Sequence, residues 1–252
     1  IAGNDMQLLR NIITIGFLLI SPMAIADFEV SPAEMQVCKV REGRSADDLN
    51  AFFQQANRWF ETLGEFDWWM ATPHYRRPNE YAWDFLMMGF WPNFDEQMKG
   101  LSAFYTTPEG RQIATEYSQV LDCAGTVHFN TIQVREEKRP KDFNQGFGHM
   151  FDCVMNEGKT PQDVAATFQK WNQYLDAKKI DHNVTALFPR TGDDQMSPGA
   201  FKFLWGGLFG NVAETLAFLT QDEAQTTWAN IIGESFSCEA YDRGYFFQKV
   251  SQ

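Results

Sequence analysis

The stretch Trp83-Asp-Phe-Leu-Met-Met-Gly-Phe-Trp-Pro-Asn-Phe-Asp-Glu96 decides the fold, because the chain contains its pattern twice. The second copy is Phe201-Lys-Phe-Leu-Trp-Gly-Gly-Leu-Phe-Gly-Asn-Val-Ala-Glu214. Aligned without gaps, both copies read aromatic, charged, Phe, Leu, two variable residues and Gly, with Asn and Glu at matching places further on. Each copy therefore predicts a buried strand that leads into a helix.

Both predicted strands are apolar on each of their two sides, apart from one charge near the start, which is Asp84 in one copy and Lys202 in the other. A strand of this kind must be covered on both faces. Each exposed apolar face would cost roughly 25 cal/mol per Å2. Helices can cover one face, and the other copy is the natural cover for the second. Asp84 and Lys202, as equivalent positions of opposite charge, are predicted to meet or nearly meet across the pseudo-two-fold axis, and the alternative is that they are two separate exposed strand ends.

The repeat extends beyond these stretches. Cys38 and Cys123 have the same spacing as Cys153 and Cys238. Ser45 and Thr160 are predicted helix N-caps, and each precedes an amphipathic helix. After the repeated stretch, Phe94, Met98, Leu101 and Tyr105 again recur with helical spacing. Each copy thus reads strand–helix–strand–strand–helix–strand, which is the split βαβ or ferredoxin-like order.

The predicted fold class is α+β. Two tandem ferredoxin-like (βαββαβ) units, residues 27–134 and 147–252, are joined by a charged, proline- and glycine-containing linker at 135–146. We expect the units to pack sheet to sheet as a pseudo-two-fold barrel within a monomeric chain.

This arrangement resembles the dimeric α/β-barrel superfamily, which includes antibiotic-biosynthesis-monooxygenase-like, EthD-like and NIPSNAP-like proteins. The Phe-Leu-x-x-Gly strand and the Asn-x-x-Glu helix that follows it carry the resemblance in both copies. The chain is also similar to tandem secreted proteins of marine bacteria with Cys-x-x-x-Glu-Gly-Lys-Thr and Trp-Asn signatures. The superfamily contains cofactor-independent oxygenases, haem-degrading enzymes, isomerases and proteins with no known activity. The resemblance therefore implies a fold and does not settle the function.

The N-terminal region is predicted to be removed. From Met6 a short segment with Arg10 precedes an apolar run from Ile12 to Ile20, and Ala24-Ile-Ala26 matches a signal peptidase site. Residues 1–26 are interpreted as upstream residues plus a secretory signal peptide, with cleavage after Ala26. The predicted location is therefore the periplasm or the extracellular space, and no membrane association is expected after cleavage.

The net charge limits which partners are expected, and the cysteines indicate disulfides rather than a metal site. The net charge is −12, which argues against nucleic acid and anionic membranes as partners. Four cysteines in an exported chain indicate disulfides, and all three pairings are compatible with the repeat. We prefer Cys38–Cys123 and Cys153–Cys238, because an ancestral single unit could have formed that bond alone. No Cys-x-x-Cys or histidine motif indicates a metal site, and no cofactor is expected.

The candidate site residues are few. His74, Arg76, His128 and Arg190 are the candidates for catalysis, because the strand ends near Pro73 and Pro189 are expected to face the barrel mouth. The candidates for ligand binding are Trp68, Tyr75, Trp83, Trp205 and Gly206, since aromatic residues are expected near the barrel interior and Gly206 and Gly207 leave space there. Asn57 and Asn172 are equivalent, and each is expected to bond to backbone.

Two functions follow as hypotheses. The first is a scaffold or a binder of a small apolar or aromatic ligand between the two halves. The alternative is a cofactor-independent monooxygenase-like or isomerase-like enzyme, with a histidine as base and an arginine that holds an anion.

Overall fold

The computed structural model describes residues 28–75, 83–138, 144–191, 199–239 and 243–250. The predicted signal segment and Arg76 lie outside these ranges. None of the helices within them is long and apolar enough to cross a membrane.

The described residues form strands and helices in nearly the predicted order. The strands are β1 (Val30–Val40), β2 (Asp67–Tyr75), β3 (Phe85–Phe90), β4 (Leu121–Cys123), β5 (Val127–Arg135), β6 (Gln145–Met155), β7 (Asn183–Thr191), β8 (Ala200–Gly207), β9 (Phe236–Cys238) and β10 (Arg243–Lys249). The helices are α1 (Ala46–Phe60), α2 (Phe94–Thr106), α3 (Pro108–Val120), α4 (Pro161–Ala177), α5 (Phe209–Leu219) and α6 (Asp222–Ile232).

All strand pairs are antiparallel, and the two halves pair in the same way. The order is β5-β1-β3-β2 in the first half and β10-β6-β8-β7 in the second. Strand β5 also pairs with β7, and β10 also pairs with β2, so eight strands close into a barrel. The short strands β4 and β9 extend β1 and β6 at their cysteines.

The apolar core has an inner layer and outer layers. The inner cluster contains strand residues together with Trp83, among them Met35, Leu86, Met88 and Phe129. Outside the barrel, α1 and α3 cover the first-half strands, and α4 and α6 cover the second-half strands. Strands β3 and β8, which carry the double-sided apolar pattern, are thus covered on both sides, as that pattern requires.

Strand β3 confirms that pattern and corrects its alignment. Phe85 and Met87 face the helices, whereas Leu86 and Met88 face the barrel interior. Trp83 precedes the strand and packs inside the barrel rather than on the side of Phe85. Cys38 lies opposite Phe85 and Cys153 lies opposite Phe201, so Phe85, not Trp83, is the counterpart of Phe201.

The predicted meeting of Asp84 and Lys202 is wrong, because this register makes them non-equivalent. Asp84 accepts a hydrogen bond from the Val40 backbone N–H at 2.8 Å. Lys202 instead forms an ion pair with Asp152, which also pairs with Arg243. Each charge therefore has a partner within its own half.

The predicted caps are confirmed. Ser45 and Thr160 each cap a helix, and Asp48 and Asp163 complete capping boxes. The stripe on α2 is different, because Phe94, Met98 and Tyr105 are exposed. The buried face of α2 carries Gln97 and Gly100 instead.

The covalent and polar links between elements follow the two-fold symmetry. The disulfides are Cys38–Cys123 and Cys153–Cys238, the preferred pairing. Asn57 donates from Nδ2 to the Val250 carbonyl, and Asn172 donates from Nδ2 to the Val134 carbonyl. Each equivalent asparagine thus bonds to backbone, and the backbone belongs to the last strand region of the other half.

Candidate functional site

A pocket of about 440 Å3 lies in the first half, between the helix-facing side of the sheet and helices α1, α2 and α3. We call it the first-half pocket. Its apolar wall consists of Phe52, Phe60, Phe66, Trp68, Met87, Trp91, Leu101, Phe104, Tyr105 and Ile113. Its polar residues are Glu34, Gln36, Tyr117, Thr126 and His128. An apolar pocket with a few convergent polar groups is the usual form of a small-molecule site.

Strand alternation brings the polar groups together. On β1, Ala33 and Met35 face the barrel interior, so Glu34 and Gln36 face the helices. Glu34 lies directly opposite His128 on β5. Directly opposite side chains on one face of an antiparallel pair have Cβ atoms about 5 Å apart. Glu34 and His128 therefore share one wall of the pocket.

Gly89 on β3 makes the space in front of Glu34. It lies opposite Glu34 on the other side of β1. A Cβ at this position would lie 2.8 Å from the Phe66 ring and 3.1 Å from Glu34 Cγ. The missing side chain therefore allows the Phe66 ring and the Glu34 side chain to occupy this region.

Glu34 has an unusual protonation equilibrium. Burial raises its pKa from 4.5 to about 7. None of the described residues forms a hydrogen bond or an ion pair with its carboxyl group. Near neutral pH the group thus exchanges between the acid and the carboxylate, as a general acid or base requires.

His128 is shifted in the opposite direction. Burial lowers its pKa below 6.5, and the nearby charge of Arg190 lowers it further. Its Nδ1 is buried and has no hydrogen-bond partner among the described residues. At neutral pH His128 is therefore mainly neutral. Two neighbouring groups whose pKa values are displaced in opposite directions are typical of acid–base sites.

Tyr117 lies at the base of the pocket. Its hydroxyl donates to Gln36 Oε1 and lies 3.0 Å from Cys123 Sγ of the disulfide. The Gln36 amide in turn donates to Thr126 Oγ1. Burial, and then the charge of Glu34, raise the pKa of Tyr117, so the phenol stays neutral. Tyr117 is thus a fixed hydrogen-bonding group rather than a titrating one.

The same location in the second half is filled. There His149 replaces Glu34, Gly244 replaces His128 and Trp205 replaces Gly89, as the strand registers show. The rings of His149 and Trp205 stack with centroids 4.7 Å apart. Trp205 packs into the core beneath α4. The two halves are alike in fold, but the equivalent of the first-half pocket is occupied by aromatic rings in the second half.

A second cavity, of about 390 Å3, opens at one end of the barrel between the two halves. We call it the barrel-end cavity. Trp69, Phe90, Leu204 and Phe247 are among its walls, and Gly206 and Gly207 line it as well. A Cβ at Gly207 would overlap the buried Glu137 carboxylate, which accepts a hydrogen bond from the Leu208 N–H. The expected space beside Gly207 is therefore occupied by Glu137.

The predicted catalytic residues do not form one cluster. His128 and Arg190 are close enough to interact electrostatically, and Arg190 also donates to Gln97 Oε1 at 3.0 Å. His74 is exposed on β2 and contacts the Phe246 ring at 5.0 Å, away from His128. Strands β3 and β1 separate β2 from β5. Arg76 and the Tyr75 side chain lie outside the described part of the chain.

The predicted ligand-binding residues are distributed over four places, because Trp205 lies in the second-half core. Trp68 lines the first-half pocket, and Gly206 lines the barrel-end cavity. Trp83 packs inside the barrel against Tyr245, with ring centroids 6.0 Å apart. Of these tryptophans, Trp68 and Trp205 face the helices and not the interior, because they lie on the helix-facing side of their strands.

Sequence reasoning missed Glu34, Gln36 and Tyr117. A signal for the first two was present, since a charge and an amide alternate with apolar residues in Pro32-Ala-Glu-Met-Gln-Val37. Within the described ranges no group of three or more His, Cys, Asp or Glu side chains is placed to hold a metal ion.

No family model and no curated protein matches the chain. The solved structures that are similar in fold include two of proteins provisionally described as monooxygenases. The one from Lactobacillus acidophilus NCFM has 7% identity, covers 88% of this chain and 95% of its own, and has a TM-score of 0.54. The one from Fusobacterium nucleatum subsp. nucleatum ATCC 25586 has 6% identity, covers 88% and 93%, and has a TM-score of 0.53. Identities this low establish similarity of fold alone.

Proposed function

We propose that the first-half pocket is the active site of an enzyme that transfers a proton on a small, largely apolar molecule. The observation that carries the proposal is the Glu34 carboxyl group, with a pKa of about 7, beside His128 in an aromatic cavity. A general base is most effective when its pKa lies near the working pH. This proposal develops the monooxygenase-like or isomerase-like hypothesis rather than the scaffold hypothesis.

The reaction begins with removal of a proton from the substrate. The Glu34 carboxylate takes a proton from a weakly acidic C–H or O–H group, and the bonding electrons remain on the substrate as an enolate or phenolate. Neutral His128 lies beside Glu34 and can hydrogen-bond the developing oxyanion through a ring N–H. If Glu34 returns the proton to another carbon, the result is isomerisation. If dioxygen instead adds to the anionic carbon, a C–O bond forms and gives a peroxide, and loss of water from the protonated peroxide leaves a carbonyl, so that a CH2 group and O2 become C=O and H2O.

Hydrogen exchange tests this step without a known substrate. A panel of aromatic 1,3-dicarbonyl compounds would be incubated with the protein in D2O, and loss of the C–H signal would be followed by NMR. We expect catalysed exchange that falls at least a hundredfold in Glu34→Gln. Glu109→Gln, an exposed position at the start of α3, is the matched control and should leave the rate unchanged. Equal exchange in Glu34→Gln and in the parent protein would rule out Glu34 as the base.

The division of the fold into two ferredoxin-like units is also a proposal. We infer two tandem ferredoxin-like units that form one dimeric α/β barrel within a monomeric chain. The identical pairing order of the two halves and the TM-scores of 0.54 and 0.53 support it. Sedimentation of the purified protein would test it, with a single mature chain expected and a stable dimer contradicting it. The similarity to secreted marine proteins stays a prediction.

We also propose that the protein is exported. Two disulfides support an oxidising location, the periplasm or the extracellular space. Mass spectrometry of the protein from its source should give a mature chain that begins at Asp27. A chain that retains Met6 would contradict cleavage after Ala26.

Binding between the two halves is the second candidate function. The barrel-end cavity favours it, because Trp69, Phe90 and Phe247 line an open space where interiors are normally filled. A bound small molecule in native mass spectra of protein from its natural source would support this function.

A further inference from the structure

The barrel-end cavity draws its wall from all eight barrel strands. Towards the other end, the interior is packed with Met35, Leu86, Met150 and Tyr245. The open end therefore differs from the rest of the barrel in both space and polarity. The donor and acceptor pattern of its wall indicates which ligand it would take.

The polar groups in the wall of the barrel-end cavity donate their hydrogen bonds to one another and to the backbone. Thr131 donates its hydroxyl to the Ser31 carbonyl at 2.8 Å, which leaves Ser31 to donate to Thr131 Oγ1 at 2.9 Å. Thr185 donates to Gln133 Oε1 at 2.8 Å. The Gln133 amide donates to Asn183 Oδ1 and to backbone carbonyls. What these hydroxyl and amide oxygens still offer is lone pairs.

Two acidic residues lie at the mouth of the barrel-end cavity. Glu136 is exposed, lines the cavity and has no ion-pair partner among the described residues. Asp67 also lines it and pairs with Lys249. The Asn183 amide nitrogen is a donor at the rim, but the net charge of the site remains negative.

The apolar wall is aromatic. Trp69, Phe90 and Phe247 line the cavity. Aromatic ring faces attract cations, and this attraction grows when the cation is partly removed from water. Lone pairs, carboxylates and ring faces together favour a ligand that donates hydrogen bonds and carries positive charge.

We propose that the barrel-end cavity binds a small organic ammonium ion, a primary or secondary amine with an apolar or aromatic body. The ammonium group donates to the oxygens of Thr131, Thr185 and Gln133, the apolar body packs on the rings, and Glu136 supplies charge complementarity at the entrance. This inference rests on the proposed binding function of the cavity, and it is independent of the chemistry at Glu34.

Calorimetric titration of the whole mature protein tests it with three matched probes. These are 2-phenylethylammonium, the neutral 2-phenylethanol and the anionic 3-phenylpropionate. We expect the ammonium ion to bind at least tenfold more tightly than either of the others. In Glu136→Gln its affinity should fall by about three- to tenfold, and that of 2-phenylethanol should not change.

Glu34→Gln locates the binding. If the ammonium ion binds in the barrel-end cavity, its affinity is the same in this variant as in the parent protein. A loss in Glu34→Gln without a loss in Glu136→Gln would place the ion in the first-half pocket and overturn the proposal. Equal binding of the ammonium ion and 2-phenylethanol, lowered by neither variant, would overturn the charge preference while leaving the binding function intact. Absence of binding by all three probes would overturn both.

Discussion

At the position of Gly89 the two halves differ by one side chain, and that difference decides which groups fill the space beside the strand. Trp205 occupies the equivalent place and stacks on His149, whereas Gly89 leaves room beside Glu34. A duplicated fold normally repeats its core, because both copies must exclude water. Here the Trp205 ring fills this position in the second half, whereas the Phe66 ring and the Glu34 side chain approach it in the first half. The sequence contained both residues, but a gapless alignment paired each with the wrong counterpart.

Gly89→Ala should therefore narrow the first-half pocket. The added Cβ would lie 2.8 Å from the Phe66 ring, so the ring must move, at a cost of about 1 to 3 kcal/mol in the free energy of unfolding. Urea unfolding and probe binding would measure both effects. Gly125→Ala is the control, because a Cβ there meets nothing within 4 Å. Equal stability of the two variants would contradict the packing at Gly89.

Glu34 should make stability depend on pH. Its pKa is about 7 in the folded protein and 4.5 when unfolded, so the folded state binds the proton more tightly. The contribution of protonated Glu34 to the free energy of unfolding is fully present below about pH 4.5 and is lost as the pH rises through about 7. It amounts to at most about 3 kcal/mol. Urea unfolding from pH 4 to 8 should show that the free energy of unfolding falls as the pH rises. We expect this fall to be absent in Glu34→Gln and unchanged in Glu109→Gln. Parallel pH profiles of the parent protein and Glu34→Gln would show that the pKa is not raised.

At the scale of the element, local sequence patterns were sufficient for most helices and strands. The caps at Ser45 and Thr160 form as predicted, since each needs only its own residue and the Asp three positions later. The face of α2 could not be predicted in the same way. Its apolar stripe of Phe94, Met98 and Tyr105 is exposed, and Gln97 is buried where it bonds to Arg190. Which face of a helix is buried depends on its neighbours, and those lie far away in sequence.

The two asparagines in α1 and α4 link elements of opposite halves. Asn57→Ala and Asn172→Ala should each lower the free energy of unfolding by about 1 to 3 kcal/mol, because each leaves a buried carbonyl, of Val250 or Val134, without its donor. Thermal unfolding followed by circular dichroism would measure this. Similar losses are expected from the two variants, since the contacts are equivalent. A neutral effect of both would mean that the carbonyls find other donors.

At the scale of the whole molecule, closure of the barrel follows from two pairings between the halves. Strand β5 pairs with β7, and β10 pairs with β2, so neither half keeps an open sheet edge at these strands. The apolar strand sides required a cover, and the sequence predicted that the other half supplies it. Sequence alone could not give the register at these seams, because register is set by packing across the seam.

The two disulfides should stabilise the molecule about equally. Each closes a loop with a sequence separation of 85, for which chain entropy gives about 4 kcal/mol. Replacing Cys38 and Cys123 together by Ser should lower the free energy of unfolding by that amount, as should the double replacement of Cys153 and Cys238. Guanidinium unfolding would compare them. Only the first pair should also change probe binding in the first-half pocket, because the Tyr117 hydroxyl contacts those sulfurs.

The sequence by itself determined the repeat, the two-sided burial of its central strands and the helix caps. These properties depend on periodicity and on residues close in the chain, and both are visible in one dimension. The tertiary structure alone decided which cysteine pairing forms, that Glu34 lies beside His128, that the Phe66 ring occupies the space which Gly89 leaves, and that His74 lies elsewhere. Those facts depend on which strands are neighbours and in what register, and burial of a carboxyl group by side chains distant in sequence gives it a pKa that no local pattern encodes.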